Sequence, residues 1–400
     1  MIRAYSVFTT EIDDVDAAVL EICGQLPSAD ELLASTIGLV GCLPYFIESG
    51  VVAALQNALP FDLVGQTTIA SAARGCDDSL SLTLLVLTSD ELTFVLRQTE
   101  PITGEVESLL IDSYEEATGD KPDEQPAFIL AYAPLLLNVG GDFFVRTLDV
   151  ASGGVPLFGA LSVDNTIDYH DSQVIFKGET SRDRLAYVLV YGSVQPKFYL
   201  VNISSEKIFD KTGLVTASAG NHVLEVDGKP AVEFLKANGL ATDEKGVIEG
   251  VNSFPYIVDF NDGTKPVVRV IFAITEEGAA VCLGDIPVGS TLSVGYFDDD
   301  EILSSSKAKV DALNLTDARA VIIFSCIGRY LMLGFTPERG LAAVQDGLAA
   351  QDTPYVLTYC GGEICPVGRK DEGDEQDTDG AEQEPLRNRF HNSTMIALVL

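Results

Sequence analysis

Positive charge is scarce in this chain of 400 residues. Lysine and arginine together number 25, against 60 aspartates and glutamates, so the formal net charge is −35. Nucleic acids and anionic membrane surfaces are bound through clustered cations, and the cations of this chain are scattered. The composition therefore predicts an acidic protein with neither a nucleic acid nor a membrane as its partner.

Long apolar runs are missing as well. No stretch approaches the ~18 residues that a membrane-spanning helix needs. After Arg3 the N-terminus meets Glu11 and Asp13 rather than the apolar segment of a secretion signal. We therefore expect a cytoplasmic protein.

The cysteines do not describe a disulfide framework. There are seven, an odd number, and their spacing is irregular. Cys23, Cys42, Cys282 and Cys326 lie among aliphatic residues, a setting typical of buried thiols. Reduced cysteines in a reducing compartment are the simplest interpretation.

Signatures of the common enzyme classes are also missing. The chain has no G-x-x-x-x-G-K-[ST] loop, no G-x-G-x-x-G turn and no G-x-S-x-G elbow. These motifs position phosphates or a nucleophilic serine, so their absence leaves no defined reaction. We expect that the protein is not an enzyme.

The first half of the chain contains an internal duplication. Each copy has the signals of a strand, a helix and two further strands, at 36–40, 47–59, 61–65 and 80–87 in one copy (35–96) and at 127–132, 141–150, 155–159 and 185–191 in the other (127–192). Both copies end the second strand on a glycine followed by hydroxyl residues, Gly65-Gln66-Thr67-Thr68 and Gly159-Ala160-Leu161-Ser162. Glycine at this place permits either a positive φ or a close backbone approach.

The pattern changes near residue 204. Hydrophobic content of 46% and charged content of 21% are those of a globular protein, and 400 residues require two or three domains. Beyond residue 204 short strands and turns prevail, such as Val226-Asp227-Gly228-Lys229, which has the Asp-Gly of a hairpin. We predict an α/β to α+β fold, in which a duplicated strand–helix–strand–strand domain with mixed sheets (1–204) precedes a strand-rich α+β domain (205–400).

An acidic, low-complexity insertion occupies residues 371–384. It contains eight carboxylates and no aliphatic residue larger than Ala381, so it cannot bury enough apolar area to offset its ordering entropy. Its spacing does not fit a calcium loop, because Leu386 falls where the bidentate glutamate belongs. The composition predicts a mobile loop beside the candidate site described next.

Replacing residues 371–384 by a short Gly-Ser linker is expected to leave the free energy of unfolding nearly unchanged. The entropy of closing a loop depends only weakly on its length, by about 0.6 kcal/mol per doubling. Urea denaturation of the two proteins checks this expectation. A large drop in the midpoint would mean that the insertion makes specific contacts.

Three short segments near the C-terminus contain the candidate functional side chains. Residues 324–329, 361–366 and 390–395 each place reactive or hydrogen-bonding side chains beside an apolar strand signal. The candidate ligand-binding residues in these segments are Cys326, Arg329, Gly362, Glu363, His391, Asn392 and Thr394.

Chemistry alone leaves several interpretations of these residues open. Arg329 and Glu363 together suit a zwitterion such as an amino acid, or they form an internal salt bridge between two strands. Cys326 with His391 would make a reactive thiol. Cys360 and Cys365 have a spacing that zinc tolerates, but no second Cys or Cys/His pair accompanies them, and a metal site is not predicted.

The same segments resemble the FIST family. The resemblance is carried by Ser325-Cys326-Ile327-Gly328-Arg329, by Gly362-Glu363-Ile364 with Pro366, and by Phe390-His391-Asn392-Ser393-Thr394-Met395. The turns after Val64 and Phe158 are similar to the N-terminal FIST domain, and the resemblance covers roughly residues 35–400.

The resemblance implies sensing rather than catalysis. FIST proteins are thought to bind small ligands, with amino acids as candidates, and to signal through partners such as a kinase or a chemotaxis component. Some relatives are reported to bind haem and sense nitric oxide, which makes a haem-binding gas sensor the first alternative, with His391 as a candidate axial ligand. A thiol-dependent enzyme or redox sensor using Cys326 is the second.

Overall fold

The computed structural model describes residues 1–76, 78–103, 106–121, 123–136, 139–166, 168–241, 248, 250–348, 351–370 and 386–400. The insertion 371–384 lies outside these ranges, so its mobility stays a prediction. The described residues form three units of the same topology around a shared core, together with an inserted subdomain.

The first unit is a four-stranded mixed sheet with helices on one face. Its elements are β1 (Ile2–Thr9), α1 (Val15–Gln25), β2 (Ser35–Cys42), α2 (Tyr45–Glu48), α3 (Val51–Ala58), β3 (Asp62–Thr67), β4 (Ser71–Ala73) and β5 (Leu82–Ser89), with a 3₁₀ turn at Ala29–Glu31. The strand order is β1-β5-β2-β3, and β2 and β3 are the parallel pair. The predicted helix 47–59 is interrupted, since Gly50 has a φ of 87° between α2 and α3.

The second unit repeats this arrangement. Its elements are β6 (Thr93–Gln98), α4 (Val106–Thr118), β7 (Phe128–Ala133), α5 (Gly141–Ser152), β8 (Leu157–Leu161), β9 (Val174–Phe176), β10 (Glu179–Ser181) and β11 (Ala186–Tyr191). The strand order is β6-β11-β7-β8, with β7 and β8 parallel. The shared order confirms the predicted duplication.

A third unit of the same topology closes the chain, and an inserted subdomain interrupts it. It begins with β12 (Lys197–Val201), and the insert then contributes β13 (Gly213–Ala219), β14 (His222–Val226), β15 (Lys229–Pro230), α6 (Ala231–Ala237), β16 (Tyr256–Asp259), β17 (Val267–Arg269), β18 (Ile271–Ile274), β19 (Ala280–Cys282) and β20 (Thr291–Val294), with 3₁₀ turns at Ser205–Lys207 and Val251–Ser253. The predicted hairpin turn joins β14 to β15, with φ of 53° at Asp227 and 73° at Gly228.

The rest of the third unit follows the insert. Its elements are α7 (Asp299–Asp311), β21 (Val321–Cys326), α8 (Ile327–Met332), α9 (Pro337–Leu348), β22 (Tyr355–Cys360), β23 (Glu363–Val367), β24 (Arg387–His391) and β25 (Met395–Val399). The order β12-β25-β21-β22, with β21 and β22 parallel, is that of the other two units. The sequence did not predict this third copy.

Each unit completes the sheet of another. The strands between the parallel pair and the last strand of a unit leave their own sheet, so that β4 pairs with β22, β9 with β3, and β23 with β8. The predicted domain boundary at residue 204 stays a prediction. In the structure β12, which precedes that boundary, pairs with β25, which follows it.

The core of the three units has one central part and three peripheral parts, and the inserted subdomain has a core of its own. Alternate residues of all three sheets, including Leu39, Phe158 and Phe324, pack together in the middle. The opposite face of each sheet packs on the helices of its own unit. Because the sheets share one centre, the carboxyl ends of their parallel strands are brought together there.

The structure also bears on the expected burial of four cysteines and on the expected lack of membrane-spanning helices. Cys42, Cys282 and Cys326 are buried as predicted, but Cys23 is exposed, because α1 turns Ala18 and Ile22 toward the core and Cys23 away from it. Within the described ranges, the helices are too short or too polar to cross a membrane.

Candidate functional site

The carboxyl ends of β3, β8 and β22 are joined by hydrogen bonds between units. Thr68 Oγ1 donates to the carbonyl of Tyr359 at 2.9 Å, and Val163 N donates to that of Thr67 at 3.3 Å. Gly361 N donates to the carbonyl of Leu161 at 2.8 Å. The three units therefore meet where each parallel pair ends, a common place for ligand binding in α/β sheets.

A buried carboxyl group lies at this meeting point. Thr394 Oγ1 donates to Glu363 Oε2 at 2.5 Å, and the thiol of Cys360 donates to Glu363 Oε1 at 3.1 Å. Cys326 is the residue directly opposite Cys360 in the parallel pair, and its thiol also interacts with the Glu363 carboxyl. These four residues are the thiol–carboxyl cluster, and none is more than 5% exposed.

Burial controls the protonation of this cluster. It raises the pKa of Glu363 to about 7, although hydrogen bonds from Thr394 and Cys360 act in the opposite direction. Burial and the nearby carboxyl raise the pKa of the Cys326 and Cys360 thiols well above the usual value. The backbone N–H groups of Gly328 and Ser393 approach Cys326 Sγ, but this effect is the smaller one. Both cysteines are therefore neutral thiols near pH 7.

Several buried polar atoms around the cluster have no hydrogen-bond partner among the described residues. They are both polar atoms of the Gln66 amide, the hydroxyls of Ser162, Thr358 and Ser393, and Asn392 Oδ1. Gln66 and Thr358 hold equivalent positions, because each is the last residue of its strand to pair with the exchanged strand of another unit. Ala160, at the third equivalent position, pairs with Glu363. Unpartnered buried polar groups are uncommon in native proteins and call for an explanation.

Arg329 is not part of this cluster. It lies on α8, on the side of the third sheet that faces the helices, where Nη2 donates to the carbonyl of Ile302 at 2.7 Å and to Ser306 Oγ at 2.6 Å. Glu363 lies on the central side of the same strand ends. The described contacts contain no salt bridge between Arg329 and Glu363, although the Glu363 carboxyl still raises the pKa of Arg329 from a distance. A zwitterion pocket shared by the two residues stays a prediction.

His391 stands opposite Glu363 in the β23–β24 pair, but its ring is engaged elsewhere. Nε2 lies 3.0 Å from the carbonyl of Cys365, which requires the proton on Nε2, and Nδ1 has no partner. Burial lowers the pKa of His391 to about 3. The ring is thus held neutral against a backbone carbonyl, and the described contacts do not pair it with Cys326.

Gly362 contributes backbone rather than a side chain. Its φ is 139°, and a Cβ at this position would overlap the ring of Phe390. Its carbonyl accepts a hydrogen bond from Leu161 N at 3.0 Å. Only glycine therefore allows the turn that delivers Glu363 to the centre.

The structure unites some of the predicted residues and adds others. Cys326, Glu363 and Thr394 are in the cluster, Gly362 shapes its turn, and Asn392 borders it. Sequence reasoning considered Cys360 only as a zinc ligand and did not single out Gln66, Ser162, Thr358 or Ser393. The repeated glycine–hydroxyl turns were the available signal for Gln66 and Ser162. In the described part of the chain, no group of three or more His, Cys, Asp or Glu residues is arranged to hold a metal.

The acidic insertion is joined to the other end of the β23–β24 hairpin. Glu363 pairs with His391 at the central end, whereas Val367 pairs with Arg387 at the end from which residues 371–384 depart. The attachment points are thus four residues along each strand from the cluster, or about 13 Å at 3.3 Å per residue. The prediction that the insertion forms a mobile loop beside the candidate site concerns residues outside the described ranges and stays a prediction.

Comparisons with known proteins agree with the sequence motifs. The model of the FIST N domain matches residues 8–229, and that of the FIST C domain matches residues 229–366. No curated protein sequence matches significantly. Among solved structures, cyanuric acid hydrolase from A. caulinodans is 12% identical over 100% of this chain and 99% of its own, with a TM-score of 0.31. T. maritima PurL complexed with ADP is 11% identical over 100% and 71%, with a TM-score of 0.17. Both scores are too low to bear on fold or function.

Proposed function

The chain belongs to the FIST family, and from that premise we propose that it is a cytoplasmic sensory protein that binds a small ligand where its three units meet. FIST domains are associated with small-ligand sensing in signalling proteins. In this proposal the ligand contacts the thiol–carboxyl cluster and the unpartnered groups around it. The output is a signalling partner such as a kinase or a chemotaxis component.

The observation that carries the proposal is the set of unpartnered polar atoms around Glu363. Gln66, Ser162, Thr358, Asn392 and Ser393 together leave six buried polar atoms without partners at the convergence of three sheets. Leaving such groups unpaired costs about 1–3 kcal/mol each. A polar ligand that supplied partners to several of them would gain much of that energy on binding.

The chemistry of the cluster favours a ligand with an ammonium group. Glu363 is the acidic group of the cluster, and a cation beside it would lower its pKa from about 7 and stabilise the carboxylate. The neighbouring amides and hydroxyls suit the carboxylate of the same ligand. An amino acid therefore remains the proposed ligand. Its carboxylate is bound by these neutral amides and hydroxyls, which take the role that the sequence analysis gave to Arg329.

Sensing is favoured over thiol catalysis for a physical reason. A cysteine nucleophile needs a substantial thiolate fraction, and the pKa of Cys326 is raised well above its usual value. The imidazole that would take its proton faces Cys365 instead. No specific observation favours haem, since His391 is fully buried and the groove of about 650 Å³ between Ala29 and Asp62 has no histidine in its lining.

A thermal-shift screen over amino acids and small amines tests the proposal. At least one compound is expected to raise the Tm, and a ligand at a hundred times its Kd adds about 2.7 kcal/mol to stability. Glu363→Gln keeps the shape of the side chain but removes the charge, so this variant is expected to lose most of the shift. Calorimetry at pH 6 in two buffers of different ionisation enthalpy is expected to show that a proton is released on binding. The reason is that Glu363 is mostly protonated at this pH and loses its proton when the ammonium group of the ligand binds beside it.

Glu301→Gln is the matched control. Glu301 is also a buried carboxylate, but it accepts hydrogen bonds from Ser204 N and Oγ, away from the cluster. This variant is expected to keep the ligand response. The proposal fails if no compound stabilises the wild-type protein, or if both variants weaken the response equally.

A further inference from the structure

Arg329 is a buried cation without a direct ion pair in the described part of the chain, although the carboxyl groups of Glu363 and Glu301 act on it from a distance. Its side chain is 2% exposed, and both hydrogen bonds of Nη2 go to neutral acceptors, the carbonyl of Ile302 and the hydroxyl of Ser306. Nη1 is buried and has no hydrogen-bond partner within the described ranges. Among the described residues no carboxylate forms an ion pair with Arg329, and the nearby Glu301 is occupied by Ser204.

Arg329 lines a small, partly enclosed cavity on the helix side of the third sheet. The cavity has a volume of about 10 Å³ and lies between α7, α8, α9 and the strands β21, β22 and β25. Ser306, Ser325 and Tyr359 contribute hydroxyl-bearing side chains to its wall. Leu333, Val344, Leu357 and Met395 belong to its apolar part. A space of this size has room for one particle of about the size of a water molecule.

We propose that this cavity binds a monatomic anion, chloride in the cell, held by Arg329 Nη1. A buried guanidinium keeps its charge, because its pKa stays above the physiological range even in apolar surroundings. A buried charge is stable only when it is paired. A water molecule would satisfy the hydrogen bond of Nη1 but would not neutralise the charge, whereas an anion does both.

The size and the walls of the cavity select the chemical class. Sulfate, phosphate and carboxylates each contain several heavy atoms, so they are larger than a cavity that has room for one particle of about the size of a water molecule. Halides are weakly hydrated compared with those oxyanions, and Arg329, the hydroxyl of Ser325 and the apolar walls replace the hydration that they lose. The hydroxyls of Ser306 and Tyr359 donate to the carbonyls of Ile302 and Pro337 instead. The site is separate from the thiol–carboxyl cluster, because the two lie on opposite faces of β21 and β22.

Bromide is the probe for a direct test. A crystal of the full chain soaked in sodium bromide is expected to show an anomalous difference peak within hydrogen-bonding distance of Arg329 Nη1. A peak at that place supports the proposal. Density without anomalous signal would identify a water molecule and overturn it, as would bromide peaks found only elsewhere.

Stability in solution gives a second test. At equal ionic strength, sodium chloride or bromide is expected to raise the Tm by about 2 °C or more over sodium gluconate. Arg329→Met is expected to abolish this difference. Arg339→Met is the control, since Arg339 lies on the neighbouring helix but pairs at the surface with Asp299 at 2.7 Å, and it is expected to keep the halide response. A halide response that persists in Arg329→Met would overturn the assignment, and if that variant does not fold, the bromide peak decides.

Discussion

Replacing either Gly65 or Gly159 by alanine is expected to unfold the protein or to remove most of its stability. A Cβ at Gly65 would overlap the carbonyl oxygen of Val40 on the neighbouring parallel strand, and one at Gly159 would overlap that of Ala131. The obstacle is backbone in the middle of a sheet, which cannot move as a flexible side chain would. We expect a loss of more than about 4 kcal/mol, out of a total that is typically 5–15 kcal/mol. Urea denaturation followed by circular dichroism measures it.

Gly24→Ala is the control for this substitution. Gly24 lies in α1, and no atom lies within 4 Å of a Cβ placed there. Alanine is expected to raise stability at this helical position by about 0.5–1 kcal/mol. If Gly65→Ala and Gly159→Ala unfolded at the same urea concentration as the wild-type protein, the strands would not approach as closely as the structure shows.

The second large effect is a dependence of stability on pH with opposite signs at two buried groups. The pKa of His391 is lowered from 6.5 to about 3, so its contribution is complete above pH 6.5 and is lost as the pH falls toward 3. The pKa of Glu363 is raised from 4.5 to about 7, so its contribution is complete below pH 4.5 and is lost as the pH rises through 7. At 1.36 kcal/mol per pKa unit, the two effects are on the order of 5 and 3 kcal/mol.

The wild-type protein is therefore expected to be most stable between about pH 5 and 6.5, where the two effects oppose each other. His391→Gln keeps a donor for the Cys365 carbonyl but does not titrate, so it is expected to flatten the acid side of the profile. Glu363→Gln is expected to flatten the side above pH 6.5. Unfolding free energies measured from pH 3 to 8 give both slopes.

His170→Gln is the matched control for the acid side. The side chain of His170 is 58% exposed, and its neighbours Asp168 and Asp171 raise its pKa instead of lowering it. Its replacement is expected to leave the acid slope almost unchanged or slightly steeper. An unaltered acid slope in His391→Gln would show that the imidazole is protonated in the folded protein at moderately acid pH.

Local sequence patterns were sufficient for some of the individual elements. Continuous apolar runs predicted β2, β3 and β5 and their counterparts β7, β8 and β11, because strands covered on both faces need apolar residues on both. The Asp227-Gly228 turn followed from the preference of these residues for positive φ. Burial of Cys42, Cys282 and Cys326 followed from their aliphatic neighbours. Cys23 did not follow the rule, because helical rotation points it away from the core.

Self-similarity along the chain revealed two of the three units. The third was hidden because the subdomain from β13 to β20 separates β12 from the rest of its sheet. No local sequence pattern indicates that β4, β9 and β23 each pair with a strand of another unit. Strand pairing over such separations depends on long-range contacts, which neither periodicity nor turn chemistry encodes.

By itself, the sequence determined many of the strands and helices, the acidic net charge, the family and the three segments that contain the candidate site residues. The tertiary structure alone decided which side chains meet. Glu363 and Arg329 are both buried near the ends of the same strands, but the face on which each lies is set by strand register and by the direction of α8. Successive strand residues point to opposite faces, so a pair that looks complementary in sequence is divided by the sheet. The same geometry gathers Cys326, Cys360, Glu363 and Thr394 from separate segments into one cluster.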